Sequence, residues 1–213
     1  MGSDLDDQKR PSGPPRFAFS EEQQRGMFES FGAVLSTFTK KVIERFGDEG
    51  REVIIDASIE AFRWITRQEL DRGGVKDKGI YALARHAYPT SGRSEMSDIG
   101  VFQLEPHKLG DNEFAFKVTY CPYMYIWKAL GIPEQCYFYT QGDTGVGMEF
   151  DPSLRMTLQK CMNAGDEYCI YSWKKYKNPA FDLKTRSWKE KEEAKPRERE
   201  SRAKYVQISE RSD

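Results

Sequence analysis

All four cysteines of this chain, Cys121, Cys136, Cys161 and Cys169, fall in one stretch of its second half, with Asp143 between the second and the third. Thiols gathered in this way can ligate a metal, attack an electrophilic carbon, or fill a core as small apolar groups. The metal reading takes Cys121, Cys136, Cys161 and Cys169 as the candidate ligands and zinc as the candidate ion, because zinc accepts a tetrahedral set of thiolates. Their spacing is not the CxxC pair of a zinc ribbon, so only a fold that converges them could make such a site. The nucleophile reading needs a base, and the chain offers two histidines, His86 and His107. His86 is the better placed, near the end of a predicted helix that packs over the sheet. Asp143 lies in Gln141-Gly142-Asp143-Thr144-Gly145, which reads as a Gly-rich loop. That loop lacks the Gly-Lys-Ser/Thr ending of a phosphate-binding loop, leaving the carboxyl for acid–base work. Glu149, Asp151 and Asp166 are alternative acids, although Asp beside Gly or Pro is ordinary turn chemistry. The candidate catalytic set is Cys121, Cys136, Asp143 and His86, with no organic cofactor evident.

The elements that must position these groups follow from the apolar period. Ser20 before Glu21-Glu22-Gln23 is an N-cap signal. Met27, Phe28, Phe31, Val34, Leu35, Phe38, Val42 and Phe46 then recur every three or four residues as far as Gly47. A second helix is expected from Asp48 to Gly73-Gly74, with Val53, Ile54, Ala57, Ala61, Trp64 and Ile65 on one face. A third runs from Lys76 to Ala87 and closes before Pro89. These stripes read as core. From Ile99 the period changes to two, with Val101 and Gln103, a turn at Gly110-Asp111-Asn112, and Phe114, Phe116, Val118 and Tyr120: a β-hairpin. A short helix covers Met124 to Leu130. A second hairpin spans Arg155 to Met162 and Tyr168 to Tyr176, with Cys161 and Cys169 on opposite sides of its turn.

The predicted fold class is α+β, an N-terminal helical layer packed on a C-terminal antiparallel sheet. Residues 1–16, rich in Pro, Gly and charge, read as a disordered lead-in. Residues 17–183 form a single domain, and 184–213 form a charged flexible tail. A net charge of -1 gives no field that favours nucleic acid or an anionic membrane. No apolar run reaches the length needed to span a bilayer, and there is no secretory signal, so the expected location is cytoplasmic. The expected partner is a small molecule, and a homodimer is compatible with the sequence. Aromatic residues make up 13% of the chain, enough to line a pocket with ring faces.

The order Cys121-Pro122, Trp127, Gly131, Cys136, Asp143, Thr157-Leu158 and Gly165-Asp166-Glu167-Tyr168-Cys169 resembles the C-terminal half of the L-2-amino-thiazoline-4-carboxylic acid hydrolase family. The resemblance covers roughly residues 25 to 175. The Cys161-x7-Cys169 hairpin is also similar to the end of vinyl-reductase-type small-molecule-binding domains, in which cysteines at that turn can hold zinc. That pattern places an acid three positions before the first hairpin cysteine, where this chain has Leu158. The hydrolase resemblance implies opening of a small heterocycle, of thiazoline or amidine/imine type, by attack on an amidine-like carbon. Two mechanisms are open: metal-bound water positioned by Asp143, or direct attack by Cys136 or Cys121 with Asp143 or His86 moving the proton. The alternative is a noncatalytic small-molecule-binding or sensing domain with a structural cysteine/zinc site.

Overall fold

The structure is a computed structural model that describes residues 20–87 and 102–191. The expected lead-in over 1–16, the strand residues Ile99 and Val101, and the charged run past 191 lie outside the described residues. The first element, α1, spans Glu21–Gly73. Ser20 caps it reciprocally: its hydroxyl accepts from the Gln23 N–H at 3.2 Å, and the Gln23 side chain accepts from the Ser20 N–H at 2.8 Å. At Gly47 the backbone turns to φ 60°, ψ -128°, a conformation open essentially to glycine, so α1 is two helices joined by a sharp bend. That bend lies where the sequence separates the first predicted helix from the second. Gly74, at φ 62°, closes the element with a left-handed cap. The next helix, α2 (Ile80–Ala87), starts later than the expected Lys76.

Strands β1 (Gln103–Leu109), β2 (Glu113–Tyr120), β3 (Leu154–Lys160) and β4 (Cys169–Lys175) form one antiparallel sheet in the order β1-β2-β4-β3. Both expected hairpins are present, and β4 inserts between β2 and β3. Alternate residues Phe114, Phe116, Tyr171 and Trp173 are buried, and they stack across the β2–β4 pair: Phe114 on Trp173 at 5.4 Å and Phe116 on Tyr171 at 5.3 Å between ring centres. Helices α3 (Pro122–Ala129), α4 (Gln135–Tyr139) and α5 (Gly142–Phe150) fill the crossover from β2 to β3. The helical layer on an antiparallel sheet is the α+β arrangement expected.

Three expectations change. The segment around Asp143, read as a Gly-rich loop, is the helix α5. Its glycines serve close packing: a Cβ on Gly145 would lie 2.3 Å from the Ile59 carbonyl oxygen of α1, and one on Gly147 would lie 2.6 Å from the Trp173 ring. Second, much of the apolar stripe of α1 is not core, although Phe28 packs against the core and Leu35, Val42 and Ile54 are half-buried. Met27, Phe31, Val34, Phe38, Phe46, Val53, Trp64 and Ile65 are exposed, between 43% and 68%, whereas Gly32, Ser36, Thr39 and Thr66 are buried. The cause is again distance, since a Cβ on Gly32 would meet the Tyr123 ring at 2.8 Å. Third, β5 (Pro179–Asp182) and β6 (Ser187–Glu190) form a hairpin, so folded structure continues past the 183 boundary and into the expected tail. Trp188 ties it to the body by donating to Gln141 Oε1 at 2.6 Å.

Two outcomes follow for stability. Gly145→Ala must separate α5 from α1 and should destabilise the fold by about 1–3 kcal/mol, read as a lower urea midpoint. Glu113 is the second probe. Burial alone would raise its carboxyl, but hydrogen bonds from Lys108, Ser172 and Gln159 outweigh burial and hold it at about 2. Its folded value lies below the unfolded one, so its stabilisation is present above pH ~4.3 and is lost as pH falls toward 2. The unfolding free energies of wild type and Glu113→Gln should therefore differ by about 1–2 kcal/mol at pH 7 and converge as pH falls toward 2.

Candidate active site

Between α1, α2, α3 and the concave side of the sheet lies a cavity of about 1160 Å³. Its walls are rings, supplied by Phe116, Tyr171 and Trp173 from the sheet, Tyr123 and Trp127 from α3, and Tyr139 from α4. Cys121, Asp143 and His86 all line it. Three of the four candidate catalytic residues thus meet in one space. The fourth, Cys136, does not line it.

Asp143 enters on the first turn of α5, where the helix dipole favours a carboxylate. Its backbone carbonyl accepts the Trp173 indole N–H at 2.5 Å, which ties the turn to the sheet. Its carboxyl has no ion-pair partner among the described residues, and burial raises it to about 7. Tyr139, one helical turn before Asp143, and Tyr123 are hydrogen-bonded to each other beside it. Burial pushes the Tyr123 hydroxyl to about 12 and that of Tyr139 higher still, so both remain protonated donors. The sequence reading did not single out these tyrosines. The i, i+4 spacing from Tyr139 to Asp143 is the signal that would have found Tyr139, and it is visible only once the segment is read as helical.

Cys121 is the N-cap residue of α3, where the first-turn N–H groups of Met124 and Tyr123 favour a thiolate without a cap hydrogen bond to the sulfur. Burial outweighs these and pushes the thiol up to about 11. His86, in the last turn of α2, sits on the cavity rim with Nε2 at 3.4 Å from Glu69 Oε2, its ring against Phe150. His107 is exposed at a bulge of the edge strand β1, remote from the cavity lining. The alternative acids are engaged elsewhere. Glu149 accepts from Arg63 at 2.8 Å and Arg67 at 2.9 Å, clamping α5 to α1. Asp151 accepts from Ser153, and Asp166 accepts the Cys161 N–H at 2.7 Å inside the hairpin turn.

Cys136, Cys161 and Cys169 form a second cluster, with their thiols hydrogen-bonded to one another and all buried. Cys161 is the acceptor at its centre. Donation from Cys136 and Cys169, together with the Asn163 and Ala164 N–H groups, lowers its thiol well below the usual range, while Cys136 is raised by the same bonds. Zinc would need a further donor beside these three. Cys121 is turned to the α3 N-terminus, and Leu158 supplies no acid. Among the described residues no group of three or more His, Cys, Asp or Glu is spaced to hold a metal ion. Of the candidate zinc ligands, Cys136, Cys161 and Cys169 are thus brought together, and Cys121 is the N-cap of α3 and lines the cavity.

Comparison with known proteins agrees with this geometry at the level of family and fold. No curated protein matches the sequence. Among solved structures, a trafficking protein particle complex subunit 3 from Naegleria fowleri, covalently bound to palmitic acid, is similar in fold. Its TM-score is 0.50 at 9% identity, over 71% of this chain and 96% of that one. The phenol-responsive sensory domain of the transcription activator PoxR, with phenol, gives a TM-score of 0.48 at 13% identity, over 68% of this chain and 74% of that one. No helix among the described residues is long and apolar enough to cross a membrane. Residues 27–173, which contain α1 from Met27 on, the whole four-stranded sheet up to Trp173 and the cavity between them, match the family model described as L-2-amino-thiazoline-4-carboxylic acid hydrolase. The chain belongs to the L-2-amino-thiazoline-4-carboxylic acid hydrolase family.

Proposed function

We propose that this protein hydrolyses a small cyclic substrate of thiazoline or related amidine/imine type inside the aromatic cavity, with Asp143 as the proton carrier. The observation that supports this most is a buried carboxyl with no ion-pair partner among the described residues, raised to about 7, in a cavity lined by rings. A group poised near neutrality can both take and return a proton at working pH. For a 2-aminothiazoline, water attacks the ring carbon between nitrogen and sulfur. Asp143 takes one water proton and passes it to the ring nitrogen. The hydroxyl then becomes a carbonyl, the ring C–S bond breaks, and the hydroxyl proton goes to the departing sulfur. One water is added and an open-chain thiol results. Tyr123, which accepts from Tyr139, keeps its own hydroxyl proton to donate to the developing oxyanion, and His86 is the candidate proton relay to solvent at the rim.

A second reading makes Cys121 the nucleophile at the same carbon. The position of its sulfur at the N-terminus of α3, where the helix dipole favours a thiolate, supports it. Its thiol, at about 11, would have to lose a proton to Asp143 before attack. The third reading is a noncatalytic binding domain, supported by the ring-lined walls, in which a small apolar molecule is retained unchanged.

On 2-aminothiazoline-4-carboxylate, Asp143→Asn should lower kcat/KM by at least about 100-fold, and the wild-type value should rise with pH through about 7. A flat pH profile, or full activity in Asp143→Asn, would remove Asp143 from the mechanism. Because the folded carboxyl lies above its unfolded value, ionising it weakens the fold as pH rises from ~4 to ~7. Asp143→Asn should therefore be the more stable protein at pH 8, by up to a few kcal/mol on the order of that shift, with the gain vanishing below pH ~4. Cys121→Ser separates the two chemistries: turnover within about tenfold of wild type supports activated water, and complete loss with a trapped covalent adduct on the wild type supports the thiol. Recovery of the compound unchanged after prolonged incubation favours the binding domain.

A further inference from the structure

The cavity is larger and longer than a bare heterocycle requires. Its volume is about 1160 Å³. At the volume water takes in the liquid, about 30 Å³ per heavy atom, a 2-aminothiazoline-4-carboxylate fills less than ~300 Å³. The floor shows where the remaining space lies. Trp173 stands opposite Phe114 of β2, Tyr171 opposite Phe116, and Leu104 opposite Val118. From Trp173 to Leu104 the lining thus runs four residues along β2, about 13 Å at the rise of an antiparallel strand, and Phe102 extends it past the start of β1. Asp143 marks one end, because its backbone carbonyl holds the Trp173 indole. Phe28, Phe102 and Tyr123 line the other, with ring centres 5.9 to 6.2 Å apart. Together with Leu104 and Val118 they offer no polar side-chain group except the Tyr123 hydroxyl, which is bonded to Tyr139. A held water needs about two to four polar partners, so this end suits an apolar group rather than ordered water.

We propose that the substrate is a heterocycle carrying an apolar arm about the size of a benzyl group, with the ring at Asp143 and the arm lying over Phe116, Val118 and Leu104 toward Phe28 and Phe102. The place of the ring rests on the role given to Asp143 in hydrolysis, and the arm is the part by which the cavity selects among such rings. The sheet and α3 both present rings to this space, Phe116 and Tyr171 from one and Tyr123 and Trp127 from the other. Offset and edge-on contacts with them favour an arm that ends in an aromatic group over one that is only aliphatic.

Two probes separate ring from arm: 2-amino-2-thiazoline, and the same ring with a benzyl group at C4. Binding to the full-length protein is read as a change in tryptophan fluorescence, since Trp127 and Trp173 line the cavity, and hydrolysis as release of thiol. The benzyl compound should bind at least about tenfold more tightly, the gain expected from burying one phenyl group. Leu104→Trp fills the floor of the arm site and Phe102→Ala removes the ring at its end. Each should cut that preference at least about threefold, with circular dichroism confirming the fold. Leu104 is half-buried on the edge strand β1, where a larger side chain is tolerated. A wild-type preference below tenfold overturns the proposal, as does failure to bind either probe or a preference that survives in every folded variant. If the benzyl compound binds with the stated preference and releases no thiol, the arm site stands and hydrolysis falls. If 2-amino-2-thiazoline is hydrolysed and the benzyl group brings no advantage, hydrolysis stands and the arm site falls.

Discussion

Helix α5 lies between α1 and the sheet at a separation that only glycine allows, and the position of nearly everything at the candidate site depends on that contact. Gly142 and Gly145 admit Phe62, Ile59 and Arg63 of α1, while Gly147 admits the Trp173 ring from the other side. Glu149 then locks the pair with two arginines of α1, partly shielded and bridged in both directions. With α5 fixed, Asp143 has nowhere to point but inward, and the Trp173 indole is held against its backbone carbonyl. Larger side chains along α5 would move the carboxyl, the indole and the cavity wall together.

The same close packing explains the electrostatics. Asp143 and Cys121 are both pushed toward their neutral forms by burial, and neither is offset by a counter-charge. Charges are kept on the rim, where Glu69 meets His86 and Asp77 meets Arg85. Inside, the polar groups are a carboxyl, a thiol and tyrosine hydroxyls. This suits proton movement between substrate and protein. The Cys136–Cys161–Cys169 cluster belongs to a different layer, where hydrogen bonds among thiols and to the hairpin turn fasten α4 to the β3–β4 connection.

For α1, proximity to the body inverts the usual rule for a surface helix. Before the bend, the side that touches the domain carries Gly32, Ser36 and Thr39 beside Phe28, stitched by hydrogen bonds such as Gln135 Nε2 to Thr39 Oγ1 at 3.2 Å, and several bulky residues are displaced outward, while beyond the bend Ile55 and Leu70 remain in the core. Periodicity locates an apolar stripe but does not say what covers it. Here the stripe was expected to face the core, and its larger part, Met27, Phe31, Val34, Phe38, Phe46, Val53, Trp64 and Ile65, faces away.

From residue order alone one could read the helix start at Ser20, the break at Gly47, both hairpins, the α+β class and the family, and could name Cys121, Cys136, Asp143 and His86, of which Cys121, Asp143 and His86 line one cavity. Those features rest on local signals: caps, turns, alternation, and the types of side chain that can move protons. Three things depended on the tertiary structure. Glycines at 142, 145 and 147 look like loop residues until a neighbouring helix is seen to need their missing Cβ atoms. The four cysteines look like one set until the fold turns Cys121 toward the cavity and bonds the other three to each other. The reach of the folded region to Glu190 is hidden in a charged run, because β5 and β6 are held by pairing to each other and by Trp188 on Gln141 rather than by an apolar pattern of their own. In each case the deciding quantity is a distance between residues far apart in the chain, which no local pattern encodes.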